Sequence, residues 1–402
     1  MSREGVALGL AELCRTWRRL WSSAAALVVL VLLTLTLAGL ADALERDSTG
    51  VVRSLDADLV VFNEEARLQL LRSRVPAPLG GALRFVEGVQ RTGTIGLLPS
   101  SLSSEDARYR ITVVGYTART PAEPRTVVEG RVPLDGEPGI AAADVRLRDR
   151  GLSLGDRVTL AGDREVELVG FVEDTMFLQQ PTVWVPHDLW ARVRASAFPE
   201  AGWSETLVGA TVVRLSSGAE REEVAATIEA ELADLDQDVL DLLAEFVEDE
   251  DVVDGIAVDA VPVGAALDAI PGVDVQRATF RVIVALAVAV VGMVMGLLFT
   301  LLVAERRPVL ATLRAVGASR RVLVELLLTQ AVVLWAIATT VGTVATLALA
   351  RIVPDAMPLA LRSAVVVTIA AALLGASVAG TAVALRRVLR LEPAAVMQED
   401  PE

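Results

Sequence analysis

Residues 305–319 read ERRPVLATLRAVGAS and lie between two uncharged stretches, residues 282–304 and 326–350, each long enough to cross a bilayer. A plain turn between two membrane helices needs only a few polar residues. This segment instead has the apolar spacing of a helix, arginines along it and a glycine that can end a helix. Its pattern therefore indicates a separate structural element in the loop.

The segment is predicted to form a short amphipathic helix between Pro308 and Gly317. Proline suits the first turn because it lacks the N–H that would be unpaired there, and glycine permits the left-handed conformation that ends a helix. One face is apolar and the neighbouring stripe is basic, with Val309, Leu313 and Val316 on the first and Arg306, Leu310 and Arg314 on the second. The residues alone leave two interpretations open, a helix that anchors the loop to lipid and a helix that docks on a partner.

The composition is that of a membrane protein, because 53% of the 402 residues are hydrophobic and the mean hydropathy is +0.51. Four windows carry no charge, residues 20–41, 282–304, 326–350 and 363–385, and a spanning helix needs about 20 apolar residues. The first window also fits a signal peptide, since arginines precede it. Its 22 residues exceed the usual apolar core of about 7 to 15, so we interpret it as a membrane helix.

Arginines orient these helices, because they cluster before the first window, in residues 305–325 and in the tail, which the positive-inside rule places in the cytoplasm. The sequence thus predicts an α-helical membrane protein with four transmembrane helices and a large α+β extracytoplasmic domain inserted between helices one and two. The predicted parts are a cytoplasmic amphipathic segment 1–19, helices 20–44, 279–304, 326–350 and 363–385, an external domain 45–278 with a β-rich insert at about 125–205, a cytoplasmic loop 305–325, an external loop 351–362 and a cytoplasmic tail 386–402.

Charge separates the external domain from the rest of the chain. Residues 45–277 hold 42 acidic and 22 basic residues, a net charge of −20, and the remainder has a net charge of +5. An acidic exterior argues against binding to nucleic acid or anionic lipid. All 37 basic residues are arginine, so the chain lacks the lysine of a phosphate-binding loop. If nucleotide drives this protein, another subunit hydrolyses it.

Few side chains are candidates for chemistry. Cys14 is the only cysteine and is interpreted as an inert thiol, and His187 is the only histidine and is predicted to lie in a turn. The acidic run EFVEDEDVVD, residues 245–254, is interpreted as a solvated face, with weak Ca²⁺ binding as the alternative. We find no catalytic constellation and expect no cofactor on this chain.

The external domain reads as alternating strands and helices. Strands are predicted at 56–63, 108–117 and 209–215, with a helix around 82–90 and a strand-dense region with Gly-Asp turns at 139–175. Residues 218–235 are predicted to be a surface helix, because Val224, Ile228 and Leu232 recur on one face.

Three stretches carry a resemblance to a known family. ERRPVLATLRAVGASRRVLVELLL (305–328) resembles the cytoplasmic loop of the MacB/FtsX-type ABC transporter permeases, where a Glu-Arg pair precedes an Arg-Ala-x-Gly-Ala-Ser segment. GLSLGDRVTLAGDREVELVGFVEDT (151–175) is similar to the family's extracytoplasmic domain, and ALRRVLRLEPAAVMQED (384–400) to its last helix and tail, although Val396 and Met397 stand where the family commonly has leucine. The order of parts, one helix, an external domain and three helices, agrees as well.

The resemblance implies a bacterial plasma-membrane or inner-membrane protein that works as a homodimer, with cytoplasmic termini. Two copies of a separate cytosolic ATPase would carry ATP and Mg²⁺, and an extracytoplasmic adaptor or substrate-binding protein would be a further partner. The positions that match the coupling motif, together with one apolar residue of the helix face, are Glu305, Arg306, Ala311, Leu313, Arg314, Ala315, Gly317, Ala318 and Ser319. In this family the ATP cycle is thought to move the external domains mechanically.

The same resemblance leaves the cellular role open. We favour an ATP-driven permease that exports or extracts a peptide, drug, lipid or lipoprotein, because an external domain of about 230 residues fits the transporter type. The alternative is a signalling subunit that activates an external cell-wall hydrolase. A membrane receptor without an ATPase is a third interpretation, which the match of residues 305–319 opposes.

Overall fold

The computed structural model describes residues 3–104, 107–197, 206–234, 257–305, 320–352 and 362–389. The chain divides into two compact units, Leu44–Gln276 and the combination of Met1–Ala43 with Arg277–Glu402. In chain order the elements are α1 (Arg3–Ser54), β1 (Leu59–Asn63), β2 (Val75–Pro76), α2 (Leu79–Ala82), β3 (Val89–Ser103), β4 (Arg108–Tyr116), β5 (Val127–Gly130), β6 (Ile140–Asp144), α3 (Val145–Arg148), β7 (Arg157–Leu160), β8 (Arg164–Val172), β9 (Thr182–Pro186), α4 (His187–Ala197), β10 (Leu207–Val208), β11 (Ala210–Leu215), α5 (Arg221–Ala233), β12 (Val258–Pro262), α6 (Val263–Asp268), α7 (Val273–Glu305), α8 (Arg320–Ile352) and α9 (Ser363–Leu389).

Four of these helices are long and apolar enough to cross a membrane. Their candidate spans are Ala24–Ser54, Val273–Leu298, Leu328–Ile352 and Ser363–Val383. Backbone groups in hydrocarbon must be paired within the segment, and a helix pairs them all. Among the described residues, this confirms the prediction of four membrane helices, with the large domain between the first and the second.

The four membrane helices share one apolar core. Leu27 and Leu35 of α1, Met295 of α7, Leu334 of α8 and Leu373 of α9 are all buried in it. The indole Nε1 of Trp335 donates a hydrogen bond to the carbonyl oxygen of Ala370, 3.0 Å away, and so joins α8 to α9. Packing rather than hydrophobic transfer holds such helices together, because lipid is as apolar as their side chains.

Glycines bring α7 and α9 close together. A Cβ added to Gly380 would overlap the carbonyl oxygen of Gly292, and one added to Gly296 would lie 3.2 Å from the carbonyl oxygen of Gly380. Gly292 and Gly296 are four residues apart, so they lie on one face of α7. The small residues around Gly380 in α9 thus allow close packing against α7 within one chain.

The external unit is built on a ten-stranded mixed sheet. Its strand order is β12-β1-β11-β3-β4-β9-β6-β8-β5, and β7 pairs with both β3 and β8. Because β7 bridges these two strands, β3, β4, β9, β6, β8 and β7 form a closed ring of six paired strands. Closure leaves those strands with partners on both sides over part of their length, which protects sheet edges.

Apolar side chains divide between the inside and the outside of this ring. Leu98, Ile111, Val158, Val166 and Val183 are buried in one core, which also receives Trp190 of α4. Residues at alternating positions, such as Ile95, Leu97, Val114 and Tyr116, belong to a second core with the end of α1. A strand turns successive side chains to opposite faces, so the two long strands β3 and β4 serve both cores.

Most predicted elements of the external domain are present. β1, β4 and β11 confirm the predicted strands, and β6, β7 and β8 occupy the strand-dense region. α5 confirms the surface helix, with Val224, Ile228 and Leu232 buried. The prediction of a helix around residues 82–90 was wrong in extent, because α2 and the 3-10 turn that follows it end at Phe85. Gly88, just before β3 begins, has a φ of +87°.

We predict that Gly380→Ala destabilises the membrane bundle by about 1–3 kcal/mol, because the added Cβ overlaps the Gly292 backbone of a neighbouring helix. Thermal unfolding in detergent measures the effect. Gly375→Ala is the matched control on the same helix, since its Cβ would meet nothing within 4 Å. Equal unfolding temperatures for the two variants would contradict the proposed contact.

Candidate functional site

The predicted coupling segment lies almost entirely outside the described residues. Glu305 is the last residue of α7, and α8 begins at Arg320. The remaining predicted positions, Arg306, Ala311, Leu313, Arg314, Ala315, Gly317, Ala318 and Ser319, fall in the range 306–319, which the structure does not describe. The acidic run 245–254 also lies outside the described residues. The coupling role of all these residues stays a prediction.

A different candidate site lies within the external unit, where the end of α1 packs against the loop between β8 and β9. Gly50 of α1 faces the backbone of this loop. An added Cβ would lie 2.6 Å from the carbonyl oxygen of Met176 and 2.7 Å from that of Asp174. Val51 and Val52, next along the helix, are fully buried in the core of the unit. Gly50 therefore allows the helix backbone to touch the loop backbone.

Backbone hydrogen bonds join this loop to α1. Val51 N donates to the carbonyl oxygen of Met176 (3.2 Å), Leu178 N donates to that of Ser48 (3.2 Å), and Gln179 N donates to that of Asp47 (2.9 Å). A helix interior normally uses its own N–H and C=O groups, so bonds from outside mark a specific attachment. We call residues 174–180 the α1 clasp.

Three residues of the clasp have an unusual backbone conformation. Asp174, Leu178 and Gln179 have φ values of 59°, 47° and 63°, in the left-handed region that non-glycine residues seldom adopt. Such conformations cost about 1–3 kcal/mol each and persist only where the surrounding contacts fix them. Here the contacts with α1 and the burial of Met176 and Phe177 supply that constraint.

Two ion pairs flank the backbone contacts. A guanidinium nitrogen of Arg146 lies 3.4 Å from Asp47 Oδ1, and one of Arg46 lies 3.3 Å from Asp174 Oδ2. The first pair is the more buried, since the Asp47 side chain is only 13% exposed. A partly buried pair is less screened by salt than a surface pair. These contacts set which face of α1 meets the clasp.

A buried hydrogen-bond chain supports the clasp from beneath. Thr175 Oγ1 donates to Asp144 Oδ2 (2.7 Å), Thr182 Oγ1 donates to Thr175 Oγ1 (2.9 Å), and Trp184 Nε1 donates to Thr182 Oγ1 (3.0 Å). Asp144 also accepts from Arg146 N at 2.9 Å and so caps α3. Burial raises the pKa of Asp144 above its ordinary value of 3.8, although both hydrogen bonds favour the ionised form.

A second charged cluster lies just after the end of α1. Asp56 lies within ion-pair distance of Arg125 (2.8 Å), Arg91 (3.2 Å) and Arg214 (3.3 Å). Asp58 pairs with Arg214 (3.5 Å) and with Arg221 of α5 (3.4 Å). Together they connect the beginning of β1 to four other parts of the unit, β3, the segment before β5, β11 and α5.

Neither cluster has the parts of a catalytic centre. Within the described ranges, no three His, Cys, Asp or Glu side chains are placed to hold a metal ion. The prediction that His187 lies in a turn was wrong. His187 is the first residue of α4, because the chain passes from β9 directly into that helix after Pro186. Its ring lies 5.6 Å from that of Trp190. The arrangement at the clasp can hold a helix end in one orientation.

We predict that Asp144 makes the protein more stable against thermal unfolding at low pH than at higher pH. Because the folded-state pKa of Asp144 is raised, its stabilising contribution is present at low pH and is lost as pH rises through the folded pKa. Relative to Asp144→Asn, the wild type should therefore lose stability as pH rises above 3.8. Thermal unfolding over a pH series measures this, with the exposed Asp149→Asn as control. Parallel profiles for wild type and Asp144→Asn would contradict it.

Three solved structures are similar to about half of the chain. The periplasmic region of MacB from Actinobacillus actinomycetemcomitans shares 11% identity, with a TM-score of 0.36, over 53% of this chain and 92% of that one. The extracellular domain of the noncanonic ABC-type transporter YknZ from Gram-positive bacteria shares 13% identity, with a TM-score of 0.35, over 51% and 99%. A domain of a putative permease protein from Porphyromonas gingivalis shares 14%, with a TM-score of 0.31, over 51% and 89%.

Family comparison covers both units of the chain. No curated protein matches the sequence. Residues 22–231, more than half of the chain, match the MacB-like periplasmic core domain, and residues 281–393 match the FtsX-like permease C-terminal region. The second match includes the whole range 305–319 and the last two membrane helices. The chain therefore belongs to the family of FtsX-like ABC transporter permeases with a MacB-like periplasmic core domain.

Proposed function

We propose that this chain is the permease subunit of an ATP-driven ABC transporter that moves its external domain to export or extract a substrate. The observation that carries the proposal is the pair of family matches, at residues 22–231 and 281–393. Permeases of this family work with a cytosolic ABC ATPase on a separate subunit. The absence of lysine from the sequence supports the same division of labour, because a phosphate-binding loop needs one.

The proposed assembly is a homodimer of this chain with two copies of the ATPase, which bind ATP and Mg²⁺. Residues 305–319 would dock on the ATPase from the cytoplasm, and both termini would lie on the same side, in a bacterial plasma or inner membrane. The positive-inside rule supports this orientation, since residues 305–325 hold five arginines.

Mechanical action fits the membrane helices better than a polar conduit does. The four uncharged windows contain no ionisable side chain, whereas ion pathways and proton relays through membranes use such groups. Substrate chemistry would then be decided outside the membrane. Peptides, drugs, lipids and lipoproteins are the proposed substrate classes, and an extracytoplasmic adaptor or substrate-binding protein is a proposed partner.

The clasp gives this proposal a described structural element. α1 is one continuous helix from Arg3 to Ser54, and its last residues are fixed by Gly50, by three backbone hydrogen bonds and by two ion pairs. A helix whose end is fixed in this way can pass a displacement to the sheet that it contacts. The clasp would therefore be needed for coupling and not for ATPase docking.

We predict that Arg314→Glu lowers co-purification of the ATPase, or the ATP turnover that the permease stimulates, by about tenfold, because it reverses a charge expected to pair with the partner. Gly317→Val should act similarly, since a side chain there strains the left-handed end of the helix. Arg362→Glu, the same charge change on the predicted external side, is the control. Normal docking and turnover in both variants would leave the lipid-anchor interpretation standing.

We predict a different result for Gly50→Ala, in which docking is kept and stimulated ATP turnover falls. The added Cβ meets three backbone atoms of the clasp, so the contact must loosen. Gly81→Ala is the matched control in the same unit, because its Cβ meets nothing within 4 Å. Co-purification and turnover are measured in parallel, and unchanged turnover in Gly50→Ala would remove the clasp from the mechanism.

A further inference from the structure

A cleft of about 670 Å³ lies on the external unit beside the paired strands β3 and β4. In the strand register, Ser101 lies opposite Arg110, and Ser103 lies opposite Arg108. Residues at the alternating positions, Leu102 and Ile111 among them, are buried inside the six-stranded ring. The two arginines therefore project from the outer face of the ring, and both line the cleft.

The arginines of this cleft are close neighbours. Alternate residues of a strand are about 6.6 Å apart on one face, so Arg108 and Arg110 present adjacent guanidinium groups. Arg108 is oriented by a hydrogen bond to Ser101 Oγ, 2.8 Å away. Arg110 is exposed, and within the described residues it forms no ion pair. Two adjacent guanidinium groups can together bind one carboxylate or phosphate.

The lining of this cleft differs in charge from that of two other clefts on the unit. Two others, of about 510 and 640 Å³, contain arginines that are neutralised by Asp58 and Asp56. The described lining of the β3–β4 cleft includes both arginines and no carboxylate. On a domain of net charge −20, a described lining with two arginines and no carboxylate is a local exception, and it would attract an anion.

The rest of the lining is uncharged and includes Tyr109, Ser100 and Ser101. Pro99, Ala161 and Ala197 contribute apolar surface, and Gln180 contributes an amide. The volume lies in the range of small-molecule sites, which are about 300–1,000 Å³. Such walls accept the apolar body of a ligand whose charged group lies at the arginines.

We propose that this cleft binds an organic anion, with its carboxylate or phosphate between Arg108 and Arg110 and its apolar part against Pro99, Ala161 and Ala197. This is a ligand site on the external unit itself. It does not depend on the ATPase or on the coupling role of residues 305–319, so the permease alone suffices to test it.

The test uses the full chain in nanodiscs of zwitterionic lipid, with N-acetylphenylalanine as probe and its uncharged amide for comparison. In ligand-observed NMR titrations the carboxylate should bind at least about tenfold more tightly than the amide, because only the carboxylate forms charge-assisted hydrogen bonds. Arg110→Gln and Arg108→Gln should each weaken binding of the carboxylate by about tenfold. Arg72→Gln, which removes an exposed charge outside the cleft, should leave the affinity within about twofold.

Further arms make the test decisive. Glu105→Gln combined with Asp106→Asn removes the two acidic residues that precede Arg108 in the sequence, and this variant should bind the probe at least as tightly as wild type. Competition by short-chain phosphatidylglycerol, but not by phosphatidylcholine, would identify a lipid head group as the source of the anion. No competition by either would identify a soluble anion. Equal binding of carboxylate and amide, unchanged affinity in Arg110→Gln, weaker binding in the double variant, or no saturable binding of either probe would overturn the proposal.

Discussion

The lack of water in hydrocarbon is the constraint on which the rest of this structure depends. Backbone groups that cross the membrane must be paired within their own segment, and the four apolar stretches meet that condition as helices. Three buried hydroxyls of these helices are paired in the same way. Thr34, Thr346 and Thr381 each donate to the carbonyl oxygen four residues earlier, so each of these polar hydrogens is paired within its own helix. Close helix contact at glycines and the hydrogen bond from Trp335 to Ala370 then add specificity to the packing.

Outside the membrane the limiting problem is the sheet edge, and the external unit solves it in two ways. The ring of six strands closes through β7, although the pairing of β3 with β7 is a single residue pair, Ser103 with Thr159. At the other end of the sheet, the edge strand β12 is partly capped by a side chain, since Glu229 Oε1 accepts a hydrogen bond from Ala260 N at 2.9 Å. Both devices limit pairing with other chains.

Sequence patterns predicted the elements whose signal is local. A charge-free window identifies a membrane helix without knowledge of its partners, and the spacing of Val224, Ile228 and Leu232 identified α5 in the same way. His187 was misplaced because a Pro-His-Asp stretch after a strand has the composition of a turn, although proline is equally suited to the residue before a helix. The prediction extended the helix near α2 to about residue 90, because Gly88 was not recognised as a residue that ends it.

The clasp could not be predicted, since its contacts are between backbone atoms of distant residues. A glycine in a helix interior ordinarily lowers stability slightly. Only the contact with the loop at Met176 and Asp174 explains why Gly50 is present. The left-handed residues of the clasp are not the types that usually signal such a conformation, apart from Asp174. The assignment of the predicted coupling residues rests on the resemblance of residues 305–319, because all of them except Glu305 lie outside the described part.

The separation of Arg46 from Asp174 along the chain, 128 residues, has a consequence for synthesis. Chains grow from the N-terminus at about 5–20 residues per second, so about 6–26 seconds pass between the two residues. Throughout that interval the clasp does not yet exist, and Val51 and Val52, which are fully buried in the finished unit, have nothing from it to cover them. The end of α1 is thus among the first parts of the external unit to be made and among the later ones to reach its final contacts.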